Sequence, residues 1–180
     1  MKKLGENQDI ILIDTRNKTE FEKFRIPDSI NVPLFALKTK DFLKPKSLIL
    51  INEGYHQAQL RKTCKELNSA GFRASFIYGG LNAWKENGGQ IEGDPFAQKE
   101  LDKITPLDFF AEKDGENRIV IDVSSSENKN IRSLLPGSLQ IPYLKDENSF
   151  VSAIRRRIGQ NQKGQIVFVC FGCGSERRSV

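Results

Sequence analysis

The feature that most constrains this chain is that its motifs occur twice. A short apolar run that ends in Asp14 recurs 108 positions later and ends in Asp122. A proline-rich turn and a second apolar run follow in the same order in both places. The paired segments are 10–14 with 119–122, 26–34 with 135–143, and 48–51 with 166–169. The separation is steady over the first two motifs, at 108 and 109 positions, and is 118 for the third, so the added residues lie between Pro142 and Ile166. A steady separation over two motifs predicts two copies of one folding unit.

Each copy alternates short apolar runs with amphipathic segments. This alternation predicts mostly parallel sheets with helices on both faces, and therefore two three-layer α/β/α domains. The elements expected in the first copy are strand 10–14, helix 19–24, turn 25–34, a short helix near 35–42, strand 48–51, loop 52–57, helix 58–70, strand 73–78 and, after Gly79-Gly80, a last helix that contains Trp84.

The second copy is shorter than the first. We expect a first domain at 1–92, a Gly- and Pro-containing linker at 93–103 and an incomplete second domain at 104–180. Thr105 as N-cap and Pro106 as first helical residue predict the opening helix of the second domain. Both ends of the sequence look cut, so we expect a piece of a longer protein, in which the second domain is truncated.

Charge and hydropathy exclude several classes of function. The net charge is +5, and the only marked basic cluster, Arg155 to Arg157, lies in a predicted basic helix at 150–158. This cluster indicates a solvated helix face, and no nucleic-acid motif accompanies it. No apolar run is long enough for a membrane span, and the polar N-terminus is not a signal peptide. A cytoplasmic location is the default, and a periplasmic one would require a missing upstream signal.

The three cysteines fall into two groups. Cys64 lies on the apolar stripe of helix 58–70, which indicates a buried structural thiol. Cys170 and Cys173 follow an apolar strand, among glycines and ahead of two arginines, where a nucleophilic thiolate could lie beside an anion-binding loop. Their spacing also allows a disulfide. A zinc site would need two more ligands, and only Cys64 and His56 remain, so we expect no metal and no cofactor.

Several motifs resemble those of the rhodanese family, and in particular of tandem rhodaneses. Asp14-Thr-Arg16 is similar to the family's strand-ending Asp-x-Arg. The segment 24–34, Phe-Arg-Ile-Pro-Asp-Ser-Ile-Asn-Val-Pro-Leu, resembles its Gly-His-Ile-Pro-Gly-Ala-x-x-x-Pro segment. The segment 78–88, Tyr-Gly-Gly-Leu-Asn-Ala-Trp-Lys-Glu-Asn-Gly, resembles its C-terminal Gly-Gly-x-x-x-Trp signature. The resemblance covers nearly all of the first copy and what is present of the second.

The resemblance implies a bacterial-type sulfurtransferase that carries sulfane sulfur as a cysteine persulfide. The register of the strand favours Cys170 as the carrier, whereas the family's Cys-x-x-x-x-Arg-Ser/Thr spacing favours Cys173, because Arg178 and Ser179 follow it at the family's distance. Implied partners are a small anionic donor such as thiosulfate, a thiol or cyanide acceptor and a protein sulfur acceptor. The residues expected to bind the anion are Gly172, Gly174, Ser175, Arg177, Arg178 and Ser179.

The first copy lacks these groups. Asn52 stands where the nucleophile would be, and the loop that follows contains Glu53 and no arginine. His56 is the only histidine, and no nucleophile is next to it in sequence, so we interpret it as a surface-loop residue. We expect the first copy to be a structural or regulatory half, and this 180-residue chain to be nearly inactive because the helix after the second loop is missing.

Two other functions stay open. A rhodanese-homology domain without a working loop would serve as a binding or regulatory module. The longer loop from Cys170 to Arg177 leaves room for the phosphatase or arsenate-reductase branch of the same fold, although position 176 is a glutamate. We also expect the second copy to expose apolar surface because its sheet is incomplete.

Overall fold

The computed structural model describes residues 9–112, 118–124, 133–143, 146–159 and 165–170. Over these ranges the protein is a mixed α/β structure with parallel sheets. Contacts within the chain divide it into two units, Met1–Glu112 and Lys113–Val180. None of the helices in these ranges is long and apolar enough to cross a membrane.

The first unit is built around a parallel sheet with the strand order β3-β1-β4-β5. A separate antiparallel pair joins β2 to β6. Two 3-10 helices, Asp41–Leu43 and Ala97–Asp102, complete the unit. Its other elements, in chain order, are β1 (Ile10–Asp14), α1 (Lys18–Lys23), β2 (Phe24–Arg25), β3 (Ile30–Asn31), α2 (Leu34–Leu37), β4 (Ser47–Ile51), α3 (Gln57–Ser69), β5 (Arg73–Phe76), α4 (Gly80–Glu86), β6 (Glu92–Gly93) and α5 (Pro106–Glu112).

The apolar runs form strands with both faces covered, because side chains of alternate residues point to opposite sides of a sheet. On β4, Leu48 and Leu50 enter a cluster with Leu60, Cys64 and Leu67 of α3. Ile49 and Ile51 enter the cluster on the other face, where the partners include Leu81 of α4 and Leu101. The predicted three-layer arrangement is thus present in this unit, and Cys64 is buried as expected.

The region between β1 and β4 is more ordered than the sequence predicts. Residues 25–34 are predicted as a turn, but they contain part of β2 and all of β3. β3 is only two residues long, so no alternation marks it; it forms because Ile30 and Asn31 pair beside Ile13 and Asp14. The expected helix near 35–42 is divided into α2 and the first 3-10 helix, each of which buries one leucine, Leu37 and Leu43 respectively.

The segment predicted as a linker, 93–103, packs against the first unit. Gly93 pairs with Phe24 across the β2–β6 ladder, and Leu101 is buried in one of the two core clusters. The Tyr55 hydroxyl donates to the carbonyl of Leu101 at 3.3 Å. Glycine and proline in this segment indicated a linker, but its apolar residues Ala97 and Leu101 pack into the core of the first unit. By its internal contacts the chain divides after Glu112. The domain bounds at 92 and 104 stay a prediction.

The helix that begins at Thr105-Pro106 is confirmed. The Thr105 hydroxyl oxygen accepts a hydrogen bond from the Asp108 amide at 3.2 Å and donates to the Asp108 carboxylate at 2.6 Å. This side chain satisfies one of the amides that the first turn leaves free, which is why the helix begins here. The contacts place this helix, α5, in the first unit, whereas we expected it to open the second domain.

The second unit contains a parallel sheet with the order β8-β7-β9 and one long helix in its described ranges. The strands are β7 (Arg118–Asp122), β8 (Leu139–Gln140) and β9 (Gln165–Val169), and the helix is α6 (Glu147–Ile158). The Asp146 carboxylate caps α6 by accepting from the Ser149 amide at 2.8 Å. Arg155, Arg156 and Arg157 are exposed in its last turn, where the helix dipole favours cations.

Candidate functional site

Asn52 occupies the end of β4 in the first unit and is buried, with 6% of its surface exposed. Its side-chain amide donates to the carbonyl of Tyr55. Its side-chain oxygen accepts from the Gly54 amide at 3.1 Å and from the Gln57 side chain at 3.2 Å. A neutral side-chain amide therefore occupies this position, and its hydrogen bonds are made within the loop. It offers no thiol, hydroxyl or amine that could act as a nucleophile.

The loop after β4 packs against the Gly79-Gly80 turn. Gly80 has a φ of 54°, and a Cβ atom there would overlap the Asn52 carbonyl oxygen and lie 2.6 Å from the Gly54 nitrogen. The Leu81 amide donates to the Asn52 carbonyl at 2.8 Å, and the Asn82 amide donates to Glu53 at 3.2 Å. The glycine pair thus lets the start of α4 approach the loop closely, which holds Asn52 in place.

Two carboxylates flank the same loop. His56 Nδ1 lies 3.2 Å from Glu53 Oε1, and His56 Nε2 lies 3.4 Å from Asp108 Oδ1 of α5. Sequence reasoning treated His56 as an isolated loop residue and missed Asp108, which is distant along the chain. Acidic groups beside the loop oppose the binding of an anion, so this geometry agrees with a loop that has no role in anion chemistry.

Asp14 ends the neighbouring strand, β1, and is paired with Arg16. The guanidinium Nη2 lies 2.7 Å from Asp14 Oδ2 and donates to the Phe24 carbonyl at 2.6 Å. Both side chains are buried, and the Arg16 backbone amide also donates to the Asp14 carboxylate at 3.0 Å. The Asp-x-Arg motif is therefore a structural clamp at the carboxyl edge of the sheet.

The three strands of the second unit repeat the pairing register of the first. Asp122 pairs with Val169 as Asp14 pairs with Ile51. The backbone hydrogen bonds that end the strands also correspond: Thr15 N to Ile51 O is 2.8 Å, and Val123 N to Val169 O is 2.9 Å. Asp122 likewise accepts from the amide two residues on, that of Ser124, at 2.9 Å, although a serine replaces the arginine.

Cys170 follows β9 directly, as Asn52 follows β4. It is exposed, and it takes part in a disulfide whose partner lies outside the described residues, because Cys64 is free. Burial raises the pKa of the Cys64 thiol to about 11, which makes that residue a poor nucleophile near neutral pH. Of the cysteines that the structure describes, Cys170 is therefore the candidate for thiol chemistry.

The remaining candidate residues cannot be placed. Cys173 and the anion-binding candidates Gly172, Gly174, Ser175, Arg177, Arg178 and Ser179 lie outside the described residues. Within the described ranges, no group of three or more histidine, cysteine, aspartate or glutamate side chains could hold a metal ion.

Comparison with known proteins finds a similar family for residues 1–87. Residues 1–87 match the family profile of the Rhodanese-like domain. No curated protein matches the chain. Similar solved structures include a Bacillus halodurans protein, which is 27% identical over 48% of this chain and 66% of its own length, with a TM-score of 0.42. The Rhodanese_3-like domain of an Anabaena sp. protein is 25% identical over 47% of this chain and 93% of that one, with a TM-score of 0.42. Residues 1–87 are therefore similar to a rhodanese-like domain.

Proposed function

We propose that this chain is a tandem rhodanese-like sulfurtransferase in which the second unit carries sulfane sulfur on a cysteine persulfide. The first unit is its non-catalytic half. The observation that carries the proposal is the shared register: Cys170 follows β9 at the position that Asn52 occupies after β4 in the rhodanese-like domain. One copy of the strand thus ends in an amide and the other in a thiol.

The reaction needs no cofactor. The Cys170 thiolate attacks the outer sulfur of thiosulfate, the sulfur–sulfur bond of the donor breaks, and sulfite leaves with the bonding electron pair. The enzyme then holds the sulfur as an anionic persulfide. A thiophilic acceptor such as cyanide attacks the outer persulfide sulfur, forms thiocyanate and restores the thiolate. Each step transfers one sulfur atom and conserves charge.

The roles of Cys170 and Cys173 are distinct in this proposal. Cys170 is the carrier because of its register. Cys173 is the resolving thiol: its thiolate attacks the Cys170 sulfur of the persulfide, the persulfide sulfur–sulfur bond breaks, and the outer sulfur leaves as hydrosulfide while the disulfide closes. Since the disulfide form of Cys170 has no thiolate, the protein must be reduced before it can accept sulfur. The alternative is that Cys173 is the carrier, supported by its spacing to Arg178 and Ser179.

Mass spectrometry of the intact protein tests the proposal directly. The full chain is reduced with a phosphine, freed of reductant and incubated with thiosulfate, and we expect a mass gain of one sulfur atom. The Cys170→Ala variant should lose this gain, while the Cys64→Ala variant should keep it. If Cys173→Ala abolishes the gain and Cys170→Ala does not, the carrier is Cys173. Because we expect little turnover from these 180 residues, the gain of sulfur rather than thiocyanate formation is the decisive measurement, and a reduced wild-type protein that stays unmodified would refute sulfur transfer.

A second function is favoured by the geometry of the first unit. Asn52, the Gly79-Gly80 turn and the carboxylates of Glu53 and Asp108 close its loop to anions. A rhodanese-homology module that binds or regulates needs no working loop. That function becomes the better one if the reduced protein gains no sulfur from thiosulfate and also none from a polysulfide.

A further inference from the structure

The loop after β4 is in contact with a later part of the first unit, the segment 97–112, which we call the strap. The strap runs from the second 3-10 helix through α5. Leu101 of the 3-10 helix is 3% exposed and lies in a cluster with Ile51, the last residue of β4. Phe109 of α5 is 4% exposed, while Leu107 is 80% exposed, so α5 also packs by one side. The strap is therefore anchored at both of its helices.

Two side chains of the loop contact the strap. Tyr55 is buried, and its hydroxyl donates to the Leu101 carbonyl at 3.3 Å. His56 Nε2 lies 3.4 Å from Asp108 Oδ1 of α5. The loop is thus joined to the 3-10 helix by a hydrogen bond and to α5 by a contact between a histidine and a carboxylate.

Both side chains of the His56–Asp108 contact are also held by a second partner. Asp108 Oδ2 accepts from the Thr105 hydroxyl at 2.6 Å, which leaves Oδ1 for His56. On the loop, His56 Nδ1 lies 3.2 Å from Glu53 Oε1. A neutral imidazole can donate to one of these two carboxylates, and a protonated imidazole can donate to both. Because both side chains are already oriented, the contact costs little further conformational entropy.

The backbone of His56 is a second indication that its surroundings hold it. Its φ is 56° and its ψ is 33°, a left-handed conformation that residues with a Cβ atom rarely adopt. Such a strained conformation persists where neighbouring groups stabilise it. The contacts of the imidazole with Glu53 and Asp108 are contacts of this kind.

We propose that His56 and Asp108 form a latch that makes the loop after β4 and α5 open and close together. In the closed state, the strap covers Tyr55, and the loop and α5 protect each other. When the latch opens, both lose protection. The chain passes directly from α5 into the second unit, so α5 is the element through which a rearrangement of that unit would act on the loop. The proposal does not depend on sulfur transfer by Cys170.

Hydrogen exchange of the full chain, measured at one pH, tests the latch from both ends. His56→Gly removes the imidazole and relieves the backbone strain of the loop, and it should nevertheless speed exchange of the α5 amides about two- to fivefold. Asp108→Ala should speed exchange of 52–57 by a similar factor, because coupling between two sites is reciprocal. Asp108→Asn keeps a side-chain oxygen for His56 and should have a smaller effect. The double variant should exchange no faster than the faster single variant, since both substitutions break one contact.

Two controls separate the latch from a general loss of stability. Glu100→Gln changes a strap carboxylate that pairs with Lys103 instead of with the loop, and it should leave exchange of 52–57 unchanged. Exchange of β4, at 47–51, should stay slow in every variant, which shows that the first unit remains folded. The proposal is overturned if neither single variant changes exchange at the other end, if the two effects add in the double variant, or if exchange of β4 accelerates by the same factor as that of the loop.

Discussion

Among individual residues, Asp14 and Arg16 form a buried ion pair, and the loss of either charge should lower the stability of the first unit. Asp14 accepts from the backbone and the guanidinium of Arg16, and Arg16 in turn holds the Phe24 carbonyl. Phe24 also lies under the guanidinium, 4.6 Å from its carbon to the ring centroid. Both charges are out of water, so each is stable there only because the other is present.

We predict that Asp14→Ala lowers the free energy of unfolding of the first unit by about 3–5 kcal/mol, because it leaves an uncompensated buried arginine. Urea unfolding followed by the fluorescence of Trp84, the only tryptophan, measures this change. Lys18→Ala removes an exposed ion pair with Glu22 and should cost less than about 0.5 kcal/mol. If both variants lose the same free energy of unfolding, the buried ion pair does not stabilise the first unit more than an exposed one.

Cys64 should make the stability of the first unit depend on alkaline pH. Its pKa is raised from 9.0 to about 11 by burial, so the unfolded chain ionises first as the pH rises. The stabilising contribution is complete below pH 9 and is lost as the pH passes through about 11, at up to about 1.4 kcal/mol per pH unit.

The measurement for Cys64 is urea unfolding of the reduced protein at several pH values between 8 and 11. Because tyrosines and lysines also titrate in this range, the Cys64→Ala variant serves as the reference. We expect the wild-type protein to lose stability more steeply with pH than the variant does. If the free energy of unfolding falls equally with pH in both proteins, the Cys64 thiol does not contribute to the pH dependence of stability.

At the level of secondary structure elements, the start of α4 determines how the loop after β4 is closed. The helix begins at Gly80, whose φ is positive and whose missing side chain leaves room for the Asn52 carbonyl and the Gly54 amide. The Gly-Gly signature therefore has a packing reason in this chain: it brings one helix N-terminus against the end of the neighbouring strand.

Gly80→Ala should therefore destabilise the first unit by about 3 kcal/mol or more, because it adds a steric overlap with backbone atoms to the strain of a positive φ. Gly71→Ala is the matched control: Gly71 also has a positive φ, of 87°, but a Cβ atom there meets nothing within 4 Å, so only about 1 kcal/mol is expected. Thermal unfolding followed by Trp84 fluorescence compares the two. A similar loss of stability in both variants would mean that the overlap is relieved by a small backbone shift.

For the molecule as a whole, the two units share one strand arrangement, but the corresponding strand side chains are buried to different extents. The sheet of the first unit has helices and buried clusters on both faces, and β4 lies between two strands. Among the described residues of the second unit, the strand in the register of β4 is at an edge, and two of its side chains are about half exposed.

Hydrogen exchange should reflect this contrast. We predict that the amides of β4 exchange far more slowly than those of β9, because opening β4 requires disruption of two clusters. Mass spectrometry of peptides that contain 47–51 and 165–169 gives the two rates in one sample. Equal protection of β9 would mean that another part of the chain covers its edge.

Much of the fold was predictable because its signals are local. Buried strands appear as apolar runs, and Thr105-Pro106 and the Gly-Gly turn mark helix starts. β3 and the packed segment 93–103 were not predictable, since they form through contacts with distant residues and carry no periodic pattern. For the same reason, His56 could not be connected with Asp108, which lies more than fifty positions further along the chain.

The recurrence of one strand motif, once before Asn52 and once before Cys170, can be read from the order of residues alone. The folded chain was needed to show that the motifs share a pairing register and that the Asn52 side chain is hydrogen-bonded within the first loop. It also decided that β9 pairs with β7 in the described residues. These properties depend on which strands lie side by side, and hydrogen bonding and burial between distant segments set that arrangement.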